Sequence, residues 1–239
     1  MNKLTGSLGA LLLAVAAPLA HAGLEITYSI NGGAPVVCGP AANPNPAALC
    51  GNVAGPTFDI TFLGATSNAP GGTPSQEESA TVDLSNATSS TQKITINVIS
   101  TGFTTPVTPP SLDLLSHIGG TVVTGAAANL LSFVSCVDAT NSQTAGCPAT
   151  DNAPTLTPSI VSAGSYSADS SVGIASLGSP YAIDEALAIT LGAHSNVNFS
   201  ASTTLVTTVP EPMSIVLLGS VALLTSGLIR RRRKGASQV

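Results

Sequence analysis

Tryptophan is absent from this 239-residue chain, and aromatic residues make up only 3% of it. Flat apolar rings are the usual platforms on which sugars and bases stack, so few such platforms exist here. Positive charge is almost as scarce. Of seven Lys and Arg residues, Lys3 stands at the N-terminus and five form the run Arg230, Arg231, Arg232, Arg233 and Lys234, which leaves Lys93 alone between. A nucleic-acid or polyanion partner requires clustered cations, so that class is excluded for the stretch between the two ends, which has Lys93 alone. Catalytic signatures are missing too: there is no Gly-x-Ser-x-Gly elbow, no His-Glu-x-x-His and no phosphate loop. Only three histidines occur, and no Cys-x-x-Cys pair accompanies them. Neither a metal nor another cofactor is expected.

What is present is organised by two apolar runs, one near each end. Lys3, the run Leu8 to Leu19 and the small-residue triplet Ala20-His21-Ala22 form a tripartite export signal, with cleavage expected between Ala22 and Gly23. The second run, Met213 to Ile229, would span about 25 Å as a helix, enough for a short transmembrane segment. The five cations that follow it would hold that end in the cytoplasm. The expected organisation is a signal peptide at 1–22, an exported domain at 23–208, a tail signal at 209–234 and five further residues at 235–239. The exported domain sets Lys93 against eleven acids, a net charge of −10, which suits solubility rather than a basic partner.

Within that domain the hydrophobic period is two. Leu24, Ile26, Tyr28 and Ile30 alternate with polar residues, and Asn31-Gly32-Gly33 then predicts a hairpin turn before Val36-Val37-Cys38. Phe58, Ile60 and Phe62 repeat the pattern. So do Val82 with Leu84, the set Ile94, Ile96 and Val98, and the series Val197, Phe199, Ala201, Thr203 and Leu205. Such alternation marks antiparallel strands with one wet face, and the spacing of turns predicts an all-β, antiparallel β-sandwich ectodomain carrying one C-terminal transmembrane helix. Helix signals are few. Ser179-Pro180 predicts at most one helical turn from Tyr181, ahead of a strand at Ala186 to Leu191, and Leu112 to Ile118 predicts another short turn. The segments Thr101 to Pro110 and Ala149 to Pro158 read as extended loops.

Four cysteines in an exported chain predict two disulfides, and local pairs, Cys38–Cys50 and Cys136–Cys147, are favoured because each closes a short turn-rich loop. His117 and His194 both read as turn residues rather than as members of a Ser/His/Asp triad. Glu77-Glu78 and Asp184-Glu185 are adjacent carboxylates, which a strand would point to opposite faces. Asn86-Ala87-Thr88 and Asn198-Phe199-Ser200 match the glycosylation sequon. Thr101, Thr104 and Thr105 lack the regular ladder of an ice-binding array, and no calcium loop of the Asp-x-Asp-x-Asp-Gly type occurs.

Directly before the second apolar run stands Val209-Pro210-Glu211-Pro212. Pro210, Glu211 and Pro212, a short apolar segment with Gly219, Ser220, Thr225, Ser226 and Gly227, and a terminal arginine cluster together resemble the PEP-CTERM sorting signal, a tail also called the ice-binding protein C-terminal segment. The resemblance covers the chain from Val209 onward. It implies export, a precursor held in the membrane through 213–229, and processing by an exosortase-type enzyme of a Gram-negative bacterium. It further implies a final place on the cell surface or in the extracellular matrix, with exopolysaccharide as a further partner. The expected function is a structural or adhesive surface or biofilm protein without catalysis. A carbohydrate- or calcium-binding module is the first alternative and a secreted hydrolase the second.

Overall fold

The computed structural model describes residues 23–38, 47–51, 53–125, 129–142, 155–160 and 163–208. The predicted signal with Ala20 and Ala22, the tail with Pro210, Glu211, Pro212 and Arg230 to Lys234, and Cys147 lie outside those residues. The described chain is all β: β1 (Gly23–Ile30), β2 (Val36–Cys38), β3 (Ala47–Leu49), β4 (Val53–Ala54), β5 (Phe58–Ser67), β6 (Ser75–Asn86), β7 (Gln92–Phe103), β8 (Leu112–Thr124), β9 (Leu130–Asp138), β10 (Gly164–Ile174), β11 (Tyr181–Leu191) and β12 (Asn196–Thr207). No helix among the described residues is long and apolar enough to cross a membrane.

Two antiparallel sheets pack face to face. One has the order β2-β1-β7-β11-β9, the other β10-β8-β12-β6-β5-β3, with β4 also paired to β5. The predicted hairpin joins β1 to β2: Asn31 and Gly32 have φ of 51° and 72°, and the Gly33 amide donates to Ile30 O at 2.9 Å. Both central residues of such a turn need positive φ, which Asn and Gly tolerate best. From β6 onward every connection moves the chain to the other sheet, so most strand partners are distant in sequence.

Inward side chains from both sheets form two apolar clusters. The larger gathers Ile26, Ile96, Leu187 and Phe133 from the five-stranded sheet against Phe58, Ile60, Leu84, Ile118 and Phe199 from the other. The smaller, at the opposite end, holds Phe103, Leu112, Leu114, Val137, Tyr181, Ile183 and Leu205. Phe103 and Tyr181 stack there with ring centroids 5.5 Å apart.

Several local expectations need correction. Tyr181 to Ala186 contains no helical turn, because Tyr181, Ile183, Glu185, Leu187, Ile189 and Leu191 keep one inward register along the whole of β11. Leu112 to Ile118 is likewise strand, the first half of β8, with Leu112, Leu114, Ser116 and Ile118 inward. The loop expected from Thr101 starts later, since β7 runs to Phe103. The period of two also breaks: Ile60 and Leu63 are both buried in β5, and Thr81 and Leu84 in β6. Asp83, at φ 54°, sits where β6 carries an extra residue opposite β12, and Asn198 Oδ1 accepts its amide hydrogen at 2.6 Å. This bulge reverses which parity of β6 faces inward.

Tyr166 of β10 crosses over Gly120 to donate its hydroxyl to Asn198 O at 2.9 Å. A Cβ at Gly120 would collide with that carbonyl and with the tyrosine ring. Gly178 has open space and no positive φ. Gly120→Ala is therefore expected to lower unfolding free energy by about 1–3 kcal/mol, whereas Gly178→Ala stays within about 0.5 kcal/mol of the parent. Denaturant melts of the two variants compare them directly.

Candidate functional site

The outer face of the seven-stranded sheet carries two adjacent rows of residues that run across the strands. Register places Ala47, Thr66, Glu78, Ser202, His117 and Asp169 side by side on β3, β5, β6, β12, β8 and β10. The next row is Leu49, Gly64, Ala80, Ser200, Gly119 and Ser167. Its central members are small, so the surface sinks into a groove of about 460 Å³ whose other wall is the polar row. Gly119 leaves room for the imidazole: a Cβ there would stand 3.2 Å from His117 Nε2. A second depression, about 430 Å³, continues past His117 to Asp169 and Ser171.

His117 is not a turn residue, as expected above, but a mid-strand one. Its Nδ1 lies 2.7 Å from Asp169 Oδ1, with the two side chains 45% and 79% exposed. Ser202 stands directly across the β8–β12 ladder from His117, so the order Asp-His-Ser is assembled from three strands. The row supplies acid, base and hydroxyl groups. β8 and β12 each have strand partners on both sides, so their backbone amides face the ladders rather than the groove. His194, by contrast, does occupy the β11–β12 turn, at φ 53°.

The remaining sequence candidates separate clearly. Cys38 and Cys50 form the expected disulfide, with Cα atoms 4.9 Å apart. Cys136 is buried in β9 and disulfide-bonded. Asn86 is buried and donates to Ser90 O at 2.7 Å, Gly192 O at 2.9 Å and Leu191 O at 3.0 Å. That sequon is a structural clamp rather than a sugar acceptor. Thr104 and Thr105 donate their hydroxyls to Pro70 O and Gly72 O, bracing one loop against another. No group of three or more His, Cys, Asp or Glu side chains that could hold a metal ion occurs among the described residues.

Sequence reasoning missed a second assembly, inside the sandwich. Between the two apolar clusters the inward positions turn polar. Ser67 on β5, Glu77 on β6, Thr203 on β12 and Ser116 on β8 are in register across one sheet. Ser100 on β7, Glu185 on β11 and Ser135 on β9 face them from the other, and all seven are buried. Three bonds cross the sandwich between these rows: Ser67 Oγ to Ser100 Oγ at 2.5 Å, Thr203 Oγ1 to Glu185 Oε1 at 2.9 Å, and Ser116 Oγ to Ser135 Oγ. Ser79 adds a fourth, to Glu185 Oε2 at 2.5 Å. Glu77 alone makes no hydrogen bond to a side chain of the belt.

The two carboxyls titrate accordingly. Burial pushes Glu185 up to about 7, although the Ser79 and Thr203 hydroxyls favour its anion. Glu77 rises well above the usual carboxylate range, first through burial and then through Glu185 and Asp184; the nearby Ser100 amide only partly opposes this. The adjacent pairs Glu77-Glu78 and Asp184-Glu185 do split to opposite faces, as a strand requires. The inward member of one then meets the inward member of the other. The signal was present as Glu185 between Ile183 and Leu187 at inward parity, but no sequence pattern paired it with Glu77 on a strand of the other sheet.

No protein-family model matches the chain, and no curated protein is similar to it. Chemistry must therefore be read from the residues themselves. Removing one partner of a buried hydroxyl pair leaves the other unsatisfied. Ser116→Ala is expected to lower stability by about 1–3 kcal/mol, and Ser116→Ala with Ser135→Ala by less than the sum of the two single changes. Equilibrium unfolding of the four proteins in the cycle measures it.

Proposed function

We propose that this protein is an exported structural or adhesive component of a bacterial cell surface or extracellular matrix, delivered by the tail that begins at Val209. The observation that carries the reading is the position of β12. The last described strand, which ends one residue short of Thr208 and two short of the tail, is an inner strand of the seven-stranded sheet, flanked by β8 and β6. A pull on the C-terminus would load a strand paired on both sides rather than peel an edge. That arrangement suits a domain tethered by its end, first to a membrane and then to a matrix. The disulfide between Cys38 and Cys50 agrees with an oxidising compartment. The mass of the protein recovered from producing cells and medium tests the reading. A product beginning at Gly23 and ending near Pro210-Glu211-Pro212 is expected; a membrane-bound product retaining Val239 would overturn the sorting step.

The groove favours a second reading, a module that holds a neutral saccharide chain of the matrix. Glu78, His117, Asp169, Ser200, Ser202 and Thr66 present hydrogen-bonding groups along the two adjoining depressions. On this reading, Glu78→Ala with His117→Ala reduces retention on the producer's own neutral polysaccharide at least tenfold in affinity electrophoresis. Equal retention of parent and variant would remove the groove from consideration.

A further inference from the structure

The belt inside the sandwich contains two carboxyl groups and no cation to balance them. Around Glu77 and Glu185, β5 contributes Ser67, β6 Ser79, β7 Ser100, β8 Ser116, β9 Ser135 and β12 Thr203, all neutral. The charged neighbours are Glu78 and Asp184, each on the opposite face of its strand, and both are acids that raise Glu185 further. Among the described residues, Lys93 lies at the other end of β7 and His117 on the outer face, so neither reaches the belt. Glu77 makes no hydrogen bond to another side chain, with only the Ser100 amide acting on it from the backbone, and Glu185 is held from the opposing sheet by Thr203 and Ser79. An ionised carboxylate without water or counter-charge is strongly disfavoured in such a place, and two of them more so.

We propose that Glu77 and Glu185 form a proton-dependent latch between the two sheets: while protonated they let the sandwich close over the belt, and their ionisation as pH rises through neutrality and above opens it there. The belt is a suitable opening point because buried polar side chains from both sheets meet there, between residues of the larger apolar cluster and those of the smaller. The direction follows from linkage. Each carboxyl binds its proton more tightly folded than unfolded, so stability is greatest below the ordinary carboxylate range and falls as pH climbs toward the folded value. For Glu185 that decline runs from about 4.5 to about 7, and Glu77 extends it further. A surface protein built this way would be firm in acidic surroundings and loosened in alkaline ones.

Thermal melting of the full-length protein between about pH 5 and about pH 9, with a chelator present, tests the latch. The expected result is a falling Tm across that range. Glu185 alone should lower the folding equilibrium constant on the order of a hundredfold. Glu77→Gln and Glu185→Gln should each flatten the curve, and the double variant should be nearly level. A double variant that falls as steeply as the parent overturns the proposal. So does a parent whose alkaline Tm is restored by calcium or magnesium while the double variant's is not, since a metal ion would then replace the proton. Should the variants fail to fold, the infrared carbonyl band of protonated carboxyls in the folded parent near about pH 6.5 decides the matter: its presence is expected, and its absence overturns the latch.

Discussion

Two sheets pack stably when inward side chains find compatible partners on the facing sheet, and here that constraint is most exacting at the polar belt. Apolar residues on either side tolerate small slips, because dispersion and burial have no direction. Hydroxyls and carboxyls do not. Ser116 must meet Ser135, Thr203 must meet Glu185, and Ser67 must meet Ser100. Three strands of one sheet and three of the other are thereby held in a single relative position. A shift of one residue on any of them would turn its polar group outward and bring a neighbour of the wrong character in.

That specificity carries a cost in stability, concentrated at Glu77. Its carboxyl is central in the row, flanked in register by Ser67 and Thr203, whose hydroxyls bond instead to Ser100 and Glu185. A leucine there would join the two apolar clusters into one. The chain instead keeps a buried group whose protonation state is coupled to folding, and a second beside it on the facing sheet. The outer groove is a different kind of feature, made by absence. Gly64, Ala80 and Ser200 have small side chains or none, and the floor sinks where they line up across the strands. The polar row on the outside and the polar belt on the inside use the same alternation, one parity apart.

The fold class was legible because periodicity reports on a single strand's two environments, water and core. β1, β7 and β12 declare themselves through Ile26, Ile96 and Phe199 and their polar neighbours. Asn31-Gly32 declares its turn through the conformation it tolerates. β8 and β11 were blurred by residues that break the alphabet without breaking the register: Ser116 and Glu185 are inward yet polar, and Gly119-Gly120 look like a turn but lie within a strand. β10 escaped notice because an edge strand buries little, and its Ser-rich run leaves only Tyr166 and Ile174 buried.

The sequence by itself determined the all-β class of the fold, the local Cys38–Cys50 pairing and the sign of the net charge, since each is carried by residues near one another in the chain. Only the tertiary structure decided which distant residues share a site. Asp169, His117, Ser202 and Glu78 become one row, and Glu77 and Glu185 one buried pair, because β6, β8, β10, β11 and β12 cross between sheets and pair with strands far from their neighbours in sequence. The physical reason is that side-chain alternation names a face but not the strand opposite, and that choice is made by the packing of the whole sandwich.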